Sequence, residues 1–171
     1  MDNLDKFIRD IPDFPKKGII FKDITPLLKN PQGFMSAVDQ ISDYFKDKDI
    51  DMVVGAEARG FIFGPPVAFK LNAGFVPIRK PGKLPYDTEE ISYELEYGTD
   101  TLQIHKDAIS KGQNVLMIDD LLATGGTMSA CCKLVETLGG NVAGCAYLIE
   151  LCFLNGKELL NKYDCFSVIK Y

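Results

Sequence analysis

Two adjacent carboxylates, Asp119 and Asp120, follow an apolar run from Val115 to Ile118, and a pair of glycines, Gly125 and Gly126, comes shortly after. The run predicts a buried strand, 115–119, that ends on the acids. The glycines predict a tight turn, and the residues beyond them a helix. Each part has its own chemistry. Paired carboxylates can accept hydrogen bonds from neighbouring sugar hydroxyls. A glycine-rich turn opening a helix presents backbone N–H groups and a positive dipole end to an anion, usually phosphate. Thr124 and Thr127 add hydroxyl donors, and Gly125 and Gly126 let the backbone approach closely. In open α/β sheets ligands sit outside the carboxyl ends of the strands, where this reading puts the acids. One ligand asks for both halves, a phosphorylated ribose. The motif is not a P-loop, because no lysine follows the glycines at the G-x-x-x-x-G-K-[ST] spacing.

The rest of the chain narrows the classes that could use such a site. Its 171 residues suit one domain, residues 1–171, with a sizeable core. A net charge of −5 argues against a bulk nucleic-acid or anionic-membrane binder, yet allows a locally basic pocket. No apolar run reaches the ~18 residues of a membrane span, and the N-terminus lacks the pattern of a secretory signal. Five cysteines, two of them adjacent at 131 and 132, do not form a disulfide framework. No C-x-x-C pair occurs and there is a single histidine, so no protein metal site is expected. A cytoplasmic protein with reduced, mostly buried thiols is expected.

The elements that must position the acids read as follows. Leu4, Phe7, Ile8 and Ile11 predict a short amphipathic helix, stopped by Pro12 and Pro15, and an irregular or extended arm runs on to Pro26. Phe34, Val38, Ile41 and Phe45 make one helical stripe. Met52–Gly55 and Phe75–Ile78 read as strands, with a helix opened by Pro65 and Pro66 between them. Residues 79–90 read as loop, and Ser92–Glu96 with Thr101–Ile104 as a projecting hairpin. The helix after the glycine turn carries Met128, Cys131, Val135 and Leu138 on its apolar face and ends at Gly139–Gly140. Val142–Ile149 is the next strand and Phe166–Ile169 an edge strand. Strands alternating with helices imply right-handed βαβ units and a mainly parallel sheet.

The acid–glycine motif resembles the phosphoribosyl pyrophosphate signature of type I phosphoribosyltransferases. Within them the chain is similar to the adenine-specific family along nearly its full length. The likeness runs through Ile11–Pro15, Phe21–Pro26, Glu57–Phe61, Arg79–Pro85 and Tyr93–Gly98. The resemblance implies an α/β fold, a mainly parallel sheet flanked by helices, with a small N-terminal hood at about residues 1–30 and a flexible loop and hairpin at 79–104. It implies transfer of a phosphoribosyl group from phosphoribosyl pyrophosphate to adenine, with Mg2+ carried on the donor and a homodimer as the working assembly. Asp119 and Asp120 would then hold the ribose 2- and 3-hydroxyls, and Ala123, Thr124, Gly125, Gly126 and Thr127 the 5-phosphate.

The resemblance implies the remaining roles as well. Relatives acting on 6-oxopurines carry an aspartate where this chain has Ala123, so the needed carboxylate is assigned to Glu96 on the hairpin. It would accept the adenine imidazole proton or support the cationic ribosyl carbon, and the sequence leaves both roles open. Arg59, Arg79, Lys80 and Lys83 would bind pyrophosphate, with a cis peptide expected around Ala58–Arg59. Phe21 would stack on adenine, the backbone of Ile20 and Lys22 would read its edge, and Leu151 would pack its opposite face. Lys22 stands where many relatives have arginine, which weakens only a side-chain role there. Two rivals differ in kind: a phosphoribosyltransferase for 6-oxopurines, opposed by Ala123, and a binding module without turnover, which would release no pyrophosphate.

Overall fold

The computed structural model describes residues 3–94 and 98–171. Its centre is a five-stranded sheet built from β3 (Met52–Ala56), β4 (Gly74–Ile78), β7 (Asn114–Leu122), β8 (Asn141–Glu150) and β9 (Cys165–Lys170). The order is β4-β3-β7-β8-β9, every neighbouring pair is parallel, and β9 lies at an edge. Chain order runs outward from β3 to β4 on one side and from β7 through β8 to β9 on the other. The crevice at the carboxyl ends of β3 and β7 is therefore the switch point where α/β sheets bind ligands. Both motif-bearing loops, residues 57–59 and 123–125, leave the sheet there.

Two apolar layers cover the sheet. On one side α1 (Thr25–Lys29), α2 (Pro31–Phe45) and α3 (Gly60–Leu71) bring Leu27, Ile41, Phe45, Phe63 and Val67 against Leu116 and Ile118 of β7. On the other, α4 (Gly126–Thr137) brings Met128, Cys131 and Val135 against Val115 and Met117. Residues 115–118 thus alternate between two buried faces, as a central parallel strand must. Cys131, Cys132 and Cys145 are fully buried and all five thiols are free. Among the described residues no helix is long and apolar enough to cross a membrane.

Two antiparallel pairs stand outside this body. β1 (Arg9–Pro12) and β2 (Ile20–Asp23) form the N-terminal hood, and β5 (Thr88–Glu94) with β6 (Thr99–His105) form the hairpin. The hood departs from the sequence expectation. The stripe from Leu4 to Ile11 forms only a 3-10 turn, Asp5–Phe7, and then enters β1. A helix this short is costly to nucleate, and pairing with β2 satisfies the backbone instead. Three further boundaries differ. α3 starts at Gly60, so Pro65 and Pro66 lie inside it rather than opening it. Burial of Phe63 and Val67 outweighs the proline penalty, and bare Gly64 makes room for the Phe75 ring. β5 takes in Thr88–Glu90 from the expected loop. β7 does not end on the acids, because Leu121 and Leu122 continue the ladder opposite Ile149 and Glu150.

Candidate active site

The turn after β7 is shaped by two interlocked glycines. Gly125 has φ +84°, a conformation that side chains rarely adopt. A Cβ on Gly125 would collide with the carbonyl oxygen of Gly156, and a Cβ on Gly156 would collide with that of Ala123. Gly156 follows Asn155, itself left-handed at φ 52°, in the connection from β8 to β9. No side chain caps the N-terminus of α4, so its first-turn N–H groups lack intrahelical partners and face outward. Asp119, Leu121, Ala123, Thr124, Gly125, Gly126, Thr127 and Met128 line one cavity of about 90 Å³. The structure therefore gathers Asp119 and the whole expected cradle, Ala123 to Thr127, around one small polar hollow at a helix start.

The twin acids do not act as equals. Asp119 Oδ1 accepts the Asp120 N–H at 2.8 Å and its carboxyl borders the cradle. Asp120, 5% exposed, is instead paired with Arg59, Nε to Oδ2 at 2.9 Å. The two carboxyl groups nevertheless lie within hydrogen-bonding reach of one another. Burial pushes the Asp119 carboxyl well above the usual carboxylate range, and the neighbouring Asp120 charge adds to the rise. Burial also raises Asp120, with Arg59 pulling it partly back.

Arg59 makes a second contact, its guanidinium carbon lying 5.0 Å from the centroid of the Phe21 ring. Phe14 packs edge-on against the same ring at 5.2 Å. The cis peptide of this loop is Glu57–Ala58, one bond before the expected place. Glu57 carries a function that sequence reasoning missed. Its carboxylate accepts the Lys80 backbone N–H and faces the side chains of Arg79 at 3.5 Å and Lys83 at 3.8 Å. Burial alone would raise the Glu57 carboxyl, but the Lys80 N–H and the two cations outweigh it and hold it low. The basic loop is thus gathered on one carboxylate beside the turn that carries Arg59. The only sequence signal was the position of Glu57 two residues before Arg59.

The expected base residues divide. Ile20, Lys22 and Leu151 border an apolar pocket of about 500 Å³ with Gly18, Ile19, Phe153, Leu154 and Tyr171. Phe21 is not among its lining residues. The Lys22 ammonium is turned to Asp10 at 2.7 Å and lies 3.6 Å from the Tyr171 ring centroid, leaving only its backbone for an edge contact. Leu151 is tied in by its N–H, which donates to Leu122 O at 2.9 Å. Glu96 lies outside the described residues. Among the described residues no group of three or more His, Cys, Asp and Glu side chains converges to cage a metal.

Comparison with known proteins matches residues 23–170 to the phosphoribosyl transferase domain. The adenine phosphoribosyltransferase of Alkaliphilus metalliredigens is 63% identical over 99% of both chains. That of Pseudothermotoga lettingae is 59% identical over 99% of both. The crystal structure of the Thermoanaerobacter pseudethanolicus adenine phosphoribosyltransferase superposes with a TM-score of 0.95, at 54% identity over 98% of both chains. The Saccharomyces cerevisiae enzyme, solved with an imino-altritol bisphosphate and adenine, gives 0.91 at 41% identity over 96% of both. A chain carrying this site, this sheet order and likeness of this extent belongs to the adenine phosphoribosyltransferase family of type I phosphoribosyltransferases.

Proposed function

We propose that the chain transfers the 5-phosphoribosyl group of phosphoribosyl pyrophosphate to adenine, giving AMP and pyrophosphate, with the residue roles that follow. The carrying observation is the single cavity shared by Asp119 and the Ala123–Thr127 turn at the start of α4. A 5-phosphate in the cradle and a ribose hydroxyl on Asp119 would fix the anomeric carbon, and positioning of that kind supplies much of the rate of a displacement. Asp120 becomes available to the second hydroxyl once Arg59 turns to the pyrophosphate. That same turn would clear the face of Phe21 for the base.

Arg79, Lys80 and Lys83 complete the electrostatic stabilisation of the leaving group. As the C–O bond to pyrophosphate breaks and the adenine nitrogen bonds to the anomeric carbon, the imidazole proton must leave. Glu96 is the proposed acceptor. Ile20, Lys22 and Leu151 would flank the base, as three neighbours on one apolar pocket.

The donor set fits a magnesium ion that travels on the donor. Mg2+ takes hard oxygen ligands and keeps substrate phosphates among them, needing only one or two carboxylates from a protein. Asp119 and Asp120 are the hard donors at this place, and the ion would neutralise charge on the departing pyrophosphate. Family resemblance supports a homodimer, and five free thiols support the reducing cytoplasm. We read residues 1–171 as one phosphoribosyltransferase domain.

The test supplies purified protein with adenine, phosphoribosyl pyrophosphate and Mg2+ and follows AMP by chromatography, with hypoxanthine and guanine as competitors. AMP formation with preference for adenine is expected. Pyrophosphate release with hypoxanthine alone would move the chain to the 6-oxopurine class, and donor binding without any turnover would make it a binding module.

A further inference from the structure

The hairpin reaches the phosphate cradle through one hydroxyl. Tyr93 Oη lies 3.2 Å from Thr127 Oγ1 and 3.2 Å from Asp100 Oδ2. Asp100 stands opposite Tyr93 in the β5–β6 register. It accepts the Thr101 N–H at 2.9 Å and holds the Lys80 ammonium. Lys80 in turn gives its backbone N–H to Glu57. An unbroken polar path therefore joins the cradle to the basic loop, and neither Tyr93 nor Asp100 has a role in the binding scheme above.

Hydrogen counting along this path shows what it can transmit. The Lys80 hydrogen bond holds the Asp100 carboxyl below its ordinary range, so it stays an acceptor at neutral pH. A phenol owns one hydrogen. While Tyr93 donates it to Asp100, Thr127 must donate to Tyr93. A phosphate in the cradle is also acceptor-only and claims the Thr127 hydrogen. Thr127 can then keep Tyr93 only by accepting from it, which takes the phenol hydrogen from Asp100. Asp100 is left with Lys80 and the Thr101 N–H, and its grip on the ammonium tightens. An ammonium already fixed loses less side-chain freedom when a second anion arrives.

We propose that Tyr93 is a positioning residue that couples the two anion sites, so that a 5-phosphate in the cradle fixes Lys80, through Asp100, for pyrophosphate. This rests on the placement of the donor given above. It predicts positive and reciprocal cooperativity between the two ends of the donor.

Calorimetry tests it with ligands that cannot react with each other. Magnesium pyrophosphate is titrated into the protein with and without saturating ribose 5-phosphate. In the wild type ribose 5-phosphate should tighten pyrophosphate binding about fivefold or more. In Tyr93→Phe that factor should fall to about one, because Asp100 never receives the phenol hydrogen; ribose 5-phosphate alone should bind within about twofold of wild type, and pyrophosphate alone about as tightly as it binds the wild type saturated with ribose 5-phosphate. A purely structural role for the phenol would weaken both ligands and leave the factor alone. Retention of the wild-type factor in Tyr93→Phe, or no factor in the wild type, overturns the proposal. If Tyr93→Phe does not fold by circular dichroism, Asp100→Asn carries the test. Its neutral amide cannot hold Lys80, so the factor must vanish there too, and its persistence refutes the path. Wild-type AMP formation is scored separately: turnover with an unaltered factor in the variants sinks the coupling alone, whereas absence of turnover sinks the functional reading.

Discussion

Adding one methyl group behind the phosphate cradle should disable it without touching any proposed ligand. A Cβ on Gly156 would lie 3.1 Å from the Ala123 carbonyl carbon, 3.1 Å from the Gly125 nitrogen, and nearer still to the Ala123 carbonyl oxygen. Ordinary contact begins at 3.4 Å, and every one of these neighbours is backbone, so no flexible side chain can step aside. Gly156 does not need a positive φ, so Gly156→Ala acts by collision alone. The Ala123–Gly125 turn must then retreat by roughly 1 Å, a misplacement that costs on the order of 10²-fold in rate. Overpacking of this kind destabilises by about 1–3 kcal/mol, and each kcal/mol lowers the melting midpoint by about 2–4 °C in a domain of this size. The assay pairs kcat/KM for phosphoribosyl pyrophosphate with thermal unfolding followed by circular dichroism. A variant that melts with the wild type and keeps its kcat/KM would show that the cradle is not held by the glycine interlock.

Other substitutions separate the proposed roles. Glu96→Gln should lower kcat by about 10²–10⁴ while donor affinity by calorimetry stays near wild type; an unchanged kcat removes Glu96 from proton transfer. Asp119→Asn should weaken donor binding yet raise the melting midpoint at neutral pH. The Asp119 carboxyl is raised in the folded state, so its ionised form costs stability above the unfolded pKa, and an amide escapes that cost. A lowered midpoint would contradict the burial argument. The same shift makes donor affinity fall on acidification at a higher pH than an ordinary carboxylate would allow, and a KM profile flat down to pH 4 would refute it. Lys83→Ala should slow AMP formation and weaken pyrophosphate inhibition together, whereas full activity would make Lys83 a partner of Glu57 only.

The sequence carried the strands and the glycine turn because both depend on short-range patterns. The apolar run 115–118 announces β7, and two glycines announce the turn that opens α4. Boundaries were less legible wherever tertiary pairing decided them. The segment from Leu4 to Ile11 has a helical stripe, but β2 offered it a partner strand, and α3 runs through Pro65 and Pro66 because the sheet rewards burying Phe63 and Val67. Asp119 and Asp120 look equivalent in the sequence. Only the structure shows that Arg59 already occupies one of them while the other borders the cradle.

That inequality explains how the resting site is held together. Two adjacent buried carboxylates would repel one another, and desolvation already disfavours their charge. The fold neutralises one with Arg59 and leaves the other to the cradle. It repeats the device at the basic loop, where Glu57 faces the charges of Arg79 and Lys83 and Asp100 holds that of Lys80, cations whose mutual repulsion would otherwise spread the loop. Each cation intended for the donor, Arg59, Arg79, Lys80 and Lys83, thus has an internal counter-charge, and a ligand rich in both hydroxyls and phosphates must displace several at once. Partial ligands should therefore bind poorly relative to the sum of their contacts. Ribose 5-phosphate, which leaves Arg59 on Asp120, should bind far more weakly than phosphoribosyl pyrophosphate. Removing that counter-ion by Arg59→Ala should narrow the gap, because the intact donor loses a pyrophosphate contact while ribose 5-phosphate loses only a competitor for Asp120. An equal loss for both ligands in titration calorimetry would show that the Arg59–Asp120 pair persists with the donor bound.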